Sequence, residues 1–243
     1  MIPKLLVHDW IENGQSVFIR PLAPSQRLDP LLQDAFSACA VYMSRNETNQ
    51  SVVNGIVRDI CSKVLTIDTA ASFEMKLARL QALVMLHTLF LFAPSDTGVR
   101  TAAEHCMEVV RAEVLRIQRK VLEVPEDLVG TSKYSQWLLV EEVQRTILAA
   151  TLAESIYMMK TQGACETVAF LSMLPITVAG KLWRARSEVE WLKLAEVTPL
   201  TVLPYGEAVG WWSQDATQGT LDGLQYLLYV TCRGVAGTPE PQR

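Results

Sequence analysis

Glu141 and Arg145 stand four residues apart in the stretch WLLVEEVQRTILAATLAESIYMMKTQG, Trp137 to Gly163. At about 100° per residue a helix sets such a pair side by side, here on the flank of an apolar face rather than on its polar side. A carboxylate and a guanidinium in that place can seat a polar ligand or tie two helices together. Removal of either partner would strand a buried charge, so a structural ion pair is the expectation. A second group of chemistry-bearing residues lies toward the C-terminal end, where Tyr205, Trp211, Trp212 and Tyr226 fall close together in sequence. Adjacent tryptophans on a helix point about 100° apart and cannot both face one core. One of them is expected to line a groove, pocket or subunit interface, and a tyrosine hydroxyl in an apolar wall supplies the polar group that orients a ligand. These four residues are therefore the expected ligand-binding set. Glu207 and Asp222 could add acid–base chemistry to it, but both read as exposed, solvated carboxylates, and no catalytic residue is assigned.

The remaining reactive side chains lead away from catalysis. His87 sits among Leu86, Leu89 and Phe90, the setting of a hydrogen-bonded core histidine. No serine, cysteine and histidine arrangement suggests a triad, and no glycine-rich loop suggests a phosphate cradle. The five cysteines, Cys39, Cys61, Cys106, Cys165 and Cys232, are odd in number and widely spaced, which fits reduced intracellular thiols rather than a disulfide framework or a zinc site. No metal and no cofactor are expected. A net charge of −4 argues against a nucleic-acid surface, which needs a concentrated basic stripe. The longest apolar run, Ala82 to Ala93, is broken by His87 and Thr88 and is too short to span a bilayer. The first residues, MIPKLLVHDW, have no signal-peptide pattern. The expectation is an intracellular protein, nuclear or cytoplasmic, with no membrane association and no direct nucleic-acid binding.

The elements that must position these residues are helical. With 49% hydrophobic residues and no internal linker rich in Pro, Gly or Ser, the chain reads as one all-α domain of about eight or nine helices over residues 1–237. Its residues 1–28, where Trp10, Phe18 and Ile19 mix with Pro21 and Pro24, read as an extended arm that covers part of the core, and a disordered tail (238–243) follows. Asp29 and Pro30 form an N-cap and first-turn pair for a helix that runs to about Arg45. A second begins near Gln50, and Asp68 or Thr69 can cap a third, Ala71 to Phe92, which is apolar almost all round and so should be central and buried. A fourth spans Asp96 to Leu122, Pro125 to Lys133 reads as a loop, and the Trp137 helix follows, with Gly163 as its C-cap. Val168 to Leu174 fits a buried helical turn or a short strand. Ser187 and Glu190 resemble a capping box, Pro204 opens a stretch holding Trp211 and Trp212, and Leu221 to Cys232 forms the last helix.

The segments ARLQALVMLHTLFLF (Ala78 to Phe92), WLLVEEVQRTIL (Trp137 to Leu148), LP followed by LWRARSEVEW (Leu174 to Trp191) and LLYVTCRG (Leu227 to Gly234) resemble, in order, the helical regulatory domain of fungal transcription regulators of the binuclear zinc cluster type. The resemblance covers residues 30 to 235. That family's core motif typically reads Glu, Ser, any residue, Arg, Arg, Thr. Glu141, Arg145 and Thr146 match it, while Glu142 and Gln144 replace the serine and the first arginine. The six-cysteine cluster and its basic surroundings are absent from this sequence, so the resemblance implies a regulatory domain without its DNA reader.

Two functions follow from this reading. The first is a stand-alone transcription-regulator-like domain that binds a partner protein or an apolar small-molecule effector, with homo-oligomerisation left open. The alternative is a helical domain turned into an enzyme on an apolar metabolite, for example in secondary-metabolite biosynthesis.

Overall fold

Start and stop signals in the sequence set most element boundaries. The computed structural model describes residues 4–20, 27–66, 72–92, 97–122, 132–214 and 221–233. Among the described residues the chain is all-α, with eleven α-helices and one small two-stranded sheet. The number exceeds eight or nine because several helices are only one or two turns long and carry too few residues for a periodic apolar stripe. Backbone contacts divide the chain into two compact units, residues 1–123 and 124–243.

The first unit holds a wide π-turn, Lys4–His8, that runs into α1 (Asp9–Asn13), then α2 (Pro30–Met43), α3 (Gln50–Leu65), α4 (Phe73–Leu91) and α5 (Thr97–Leu122). Asp29 caps α2, its Oδ1 accepting from the Leu31 amide at 2.8 Å, with Pro30 where a missing N–H costs nothing. Ser72 caps α4 and accepts from the Met75 amide; the expected caps Asp68 and Thr69 lie outside the described residues. Every residue of α4 from Leu77 to Leu91 is buried, which is what an all-round apolar helix requires. It packs against α2, α3 and α5. The N-terminal arm corrects the expectation of an extended segment. Residues 4–13 are helical because Leu6, Val7 and Trp10 share one buried face. The Trp10 ring meets Phe36 of α2 edge-on at 5.2 Å, and Gln81 of α4 donates to the Phe18 carbonyl, so the arm does cover this unit's core.

The second unit holds α6 (Lys133–Gln162), α7 (Val168–Met173), β1 (Pro175–Thr177), α8 (Gly180–Trp183), α9 (Glu188–Val197), β2 (Val202–Pro204), α10 (Tyr205–Gln214) and α11 (Gly223–Arg233). α6 begins at Lys133, a turn ahead of Trp137, because Ser132 supplies its cap and accepts from the Ser135 amide. It ends at Gly163, whose left-handed φ of 71° closes the helix with an N–H to the Met159 carbonyl, a conformation that favours glycine. Every residue of α6 from Arg145 to Ser155 is buried. The short apolar segment left open above is a helix, Val168–Met173, followed by a strand that starts at Pro175 and pairs antiparallel with β2, Ile176 opposite Leu203. Ser187 caps α9 by accepting from the Glu190 amide, and the Glu190 side chain accepts in return from the Arg186 amide rather than from the cap residue itself.

Candidate functional site

α6 delivers Glu141 and Arg145 to the interior of the second unit, where Arg145 is 1% and Glu141 2% exposed. Arg145 Nε donates to Glu141 Oε1 at 2.6 Å. Its Nη2 donates to Asp222 Oδ2 at 2.5 Å. Thr177 of β1 donates its hydroxyl to Glu141 Oε2 at 2.6 Å, and Gln225 donates to the Thr177 carbonyl at 2.8 Å. The guanidinium also lies over the Trp183 ring, 4.4 Å from its centroid, in cation–π geometry. Burial by itself would lower the Arg145 pKa, but Asp222 and Glu141 reverse this through charge and hydrogen bonds and hold it above the usual arginine value.

Asp222 corrects the sequence reading of an exposed carboxylate: it is buried. It precedes α11 and caps it, Oδ1 accepting from the amides of Leu224 at 2.9 Å and Gln225 at 3.1 Å. Its second oxygen is thereby left for Arg145. The charge that a lone buried carboxylate could not sustain is balanced by a guanidinium on one side and helix N–H groups on the other. Gly180 of α8 allows this approach, since a Cβ there would lie 2.5 Å from Gln225 Oε1 and 2.8 Å from Asp222 Oδ2. Both oxygens of each carboxylate are engaged within the protein, so the arrangement ties α6, β1, α8 and α11 together instead of offering a base or a ligand seat. Glu207, in contrast, is exposed on α10.

The four aromatic candidates separate. Tyr205 is buried at the start of α10, its hydroxyl donating to the Leu228 carbonyl of α11 at 2.8 Å, and burial raises its phenol pKa, with Cys232 adding to the effect. Trp212 is 1% exposed and points Nε1 at the Val178 carbonyl at 3.4 Å, whereas Trp211 is 41% exposed. Tyr226 is half-buried on α11. Tyr205 and Trp212 thus have core roles with satisfied polar atoms, and Trp211 is the member of the set turned to solvent.

A second aromatic cluster was not singled out from the sequence. Tyr134 and Trp137, in the first turns of α6, lie 5.8 Å and 5.4 Å from Trp191 of α9 between ring centroids, and Leu182, Ala185 and Leu194 pack with them. The i,i+3 spacing of Tyr134 and Trp137 is the signal that would have found it, but Tyr134 falls immediately after a segment read as loop. Among the thiols, partial burial works against the Cys165 anion, yet hydrogen bonds from Thr167, Ser155 and the backbone N–H groups of Thr167 and Val168 outweigh it and lower its pKa. Burial instead pushes Cys61 up to about 12 and Cys39 higher still.

Among the described residues no helix is long and apolar enough to cross a membrane. No protein-family model and no solved structure matches the chain. In sequence it is similar to a fungal transcription regulator. That relative is Transcription factor gsfR2 of Penicillium aethiopicum, 27% identical over 255 aligned residues that cover 99% of this chain and 59% of the relative. The chain thus spans about three fifths of the length of the curated relative it matches.

Proposed function

We propose that the chain is a transcription-regulator-like domain that acts through a partner protein or a small-molecule effector and does not itself read duplex DNA. The observation that carries this reading is the similarity to a fungal transcription factor along 99% of the chain. The charge network supports it, because the residues with the most evident chemistry, Glu141, Arg145 and Asp222, are bonded to one another and to the backbone. In this reading residues 1–237 work as one regulatory module in the nucleus, and Trp211 belongs to the surface that meets a partner. The test is to fuse the full chain to an unrelated DNA-binding domain and measure transcription of a reporter bearing that domain's site. A change in reporter output that needs the folded chain supports the proposal; unchanged output from a well-expressed, folded fusion overturns it. The purified chain alone should give no sequence-dependent shift of duplex DNA, and such a shift persisting in salt would contradict the reading.

A further inference from the structure

Trp191 lies on the inner face of α9 and is 7% exposed, yet its indole Nε1 finds no acceptor among the described residues. Trp212, another buried tryptophan of this unit, has found a backbone carbonyl. Thr198, which follows α9 in extended backbone, is also 7% exposed and its hydroxyl is likewise without a partner among the described residues. Buried polar atoms are ordinarily matched, because leaving one unmatched costs more than a made bond returns. Here an indole donor is left unmatched within an aromatic cluster. Tyr134 and Trp137, the neighbours of Trp191, are half-buried, so the cluster runs from partly exposed rings to a buried N–H.

We propose that this cluster, formed by α6, α8 and α9, binds a flat, largely apolar molecule that carries a carbonyl or ether oxygen. The rings of Tyr134 and Trp137 supply stacking surface, and Trp191 Nε1 donates to the oxygen. A mostly apolar site with few placed polar groups is the usual form of a small-molecule site. The inference rests on the effector branch of the regulator reading. That reading is tested by the reporter assay with no probe present, so the two can fail separately.

The experiment is to titrate the full chain calorimetrically with 9-fluorenone and with fluorene, which share a ring frame and differ in the carbonyl oxygen. Fluorenone is expected to bind about tenfold more tightly, the equivalent of one hydrogen bond. Trp191→Phe, which keeps an aromatic ring and removes the N–H, should bring the ratio close to one. Trp137→Ala, at a half-buried position, should weaken both probes together, and it keeps the test alive if Trp191→Phe does not fold by circular dichroism. Equal affinity for the two probes, no binding of either, a preference that survives Trp191→Phe, or unchanged affinities in Trp137→Ala would each overturn the proposal.

Discussion

Arg79 in the first unit and Arg145 in the second each join separate helices through one buried guanidinium, but their surroundings differ. Arg79 donates to the carbonyls of Val64 and Leu65 at the end of α3, at 3.0 Å and 2.8 Å, and to Glu113 of α5 at 3.0 Å. Glu113 has a second cation, Arg116, whose side chain is 47% exposed. The first unit's cluster therefore reaches the surface and carries more positive than negative charge, set against the negative end of a helix. Arg145 faces two carboxylates, all three side chains being no more than 4% exposed, and the excess negative charge is met by neutral donors, the N–H groups that open α11 and the Thr177 hydroxyl. One buried cation with a hydrated neighbour tolerates loss; a dry cation between two carboxylates does not.

The largest effect that follows is on Arg145→Ala. It should cost about 3–5 kcal/mol, because two buried carboxylates lose their counter-ion, and urea unfolding would measure it; a cost like that of an exposed substitution would break the comparison. Arg79→Ala should cost about 2–3 kcal/mol, the loss of bonds from a charged donor, with Glu113 still paired to Arg116. If the same unfolding experiment finds it more damaging than Arg145→Ala, the ranking of the two clusters is wrong. Gly180→Ala should cost roughly 1–3 kcal/mol by overpacking, since its methyl group meets Gln225 and Asp222; a neutral result would mean that α8 can retreat from α11 without loss.

The thiols sharpen the contrast through pH. Cys61 is raised from 9.0 to about 12 by burial, the charge of Cys106 adding to the shift. Its folded pKa lies above its unfolded one, so its contribution is fully present below pH 9 and is lost as pH rises from 9 toward about 12, as the unfolded chain releases a proton that the folded chain keeps. Stability measured across that window should fall less steeply in Cys61→Ala. At neutral pH Cys165, partly exposed and with a lowered pKa, should alkylate before Cys39 and Cys61, as peptide mapping would show. Faster labelling of Cys39 would mean that the first unit opens more readily than its packing implies.

Local signals account for what could be read before the structure was known. Asp29 with Pro30, Ser187 with Glu190, and Gly163 each fix a helix end through contacts within four residues. The almost all-round apolar character of α4 identified a buried helix without any knowledge of its neighbours. The four-residue spacing of Glu141 and Arg145 placed them side by side for the same reason. The partnership of Arg145 with Asp222 spans 77 residues, and no local pattern encodes it. Asp222 was read as an exposed carboxylate within a helix from Leu221 to Cys232, whereas it precedes α11 and caps it. The arm was misread because Pro21 and Pro24 suggested extension, whereas the one-face arrangement of Leu6, Val7 and Trp10 is too short to register as a period. Tyr134 was missed because Pro125 to Lys133 read as a loop, which put the capping Ser132 inside it.

The central claim is that the buried charges of the second unit act as one structural tie. A double-mutant cycle on Arg145→Met and Asp222→Asn, read by urea unfolding, tests it most directly. The two single variants should each destabilise the protein, and the double variant should be less destabilised than their sum by about 2 kcal/mol, within the range found for residues in one network. Additivity to within about 0.5 kcal/mol, the behaviour of independent sites, would contradict it.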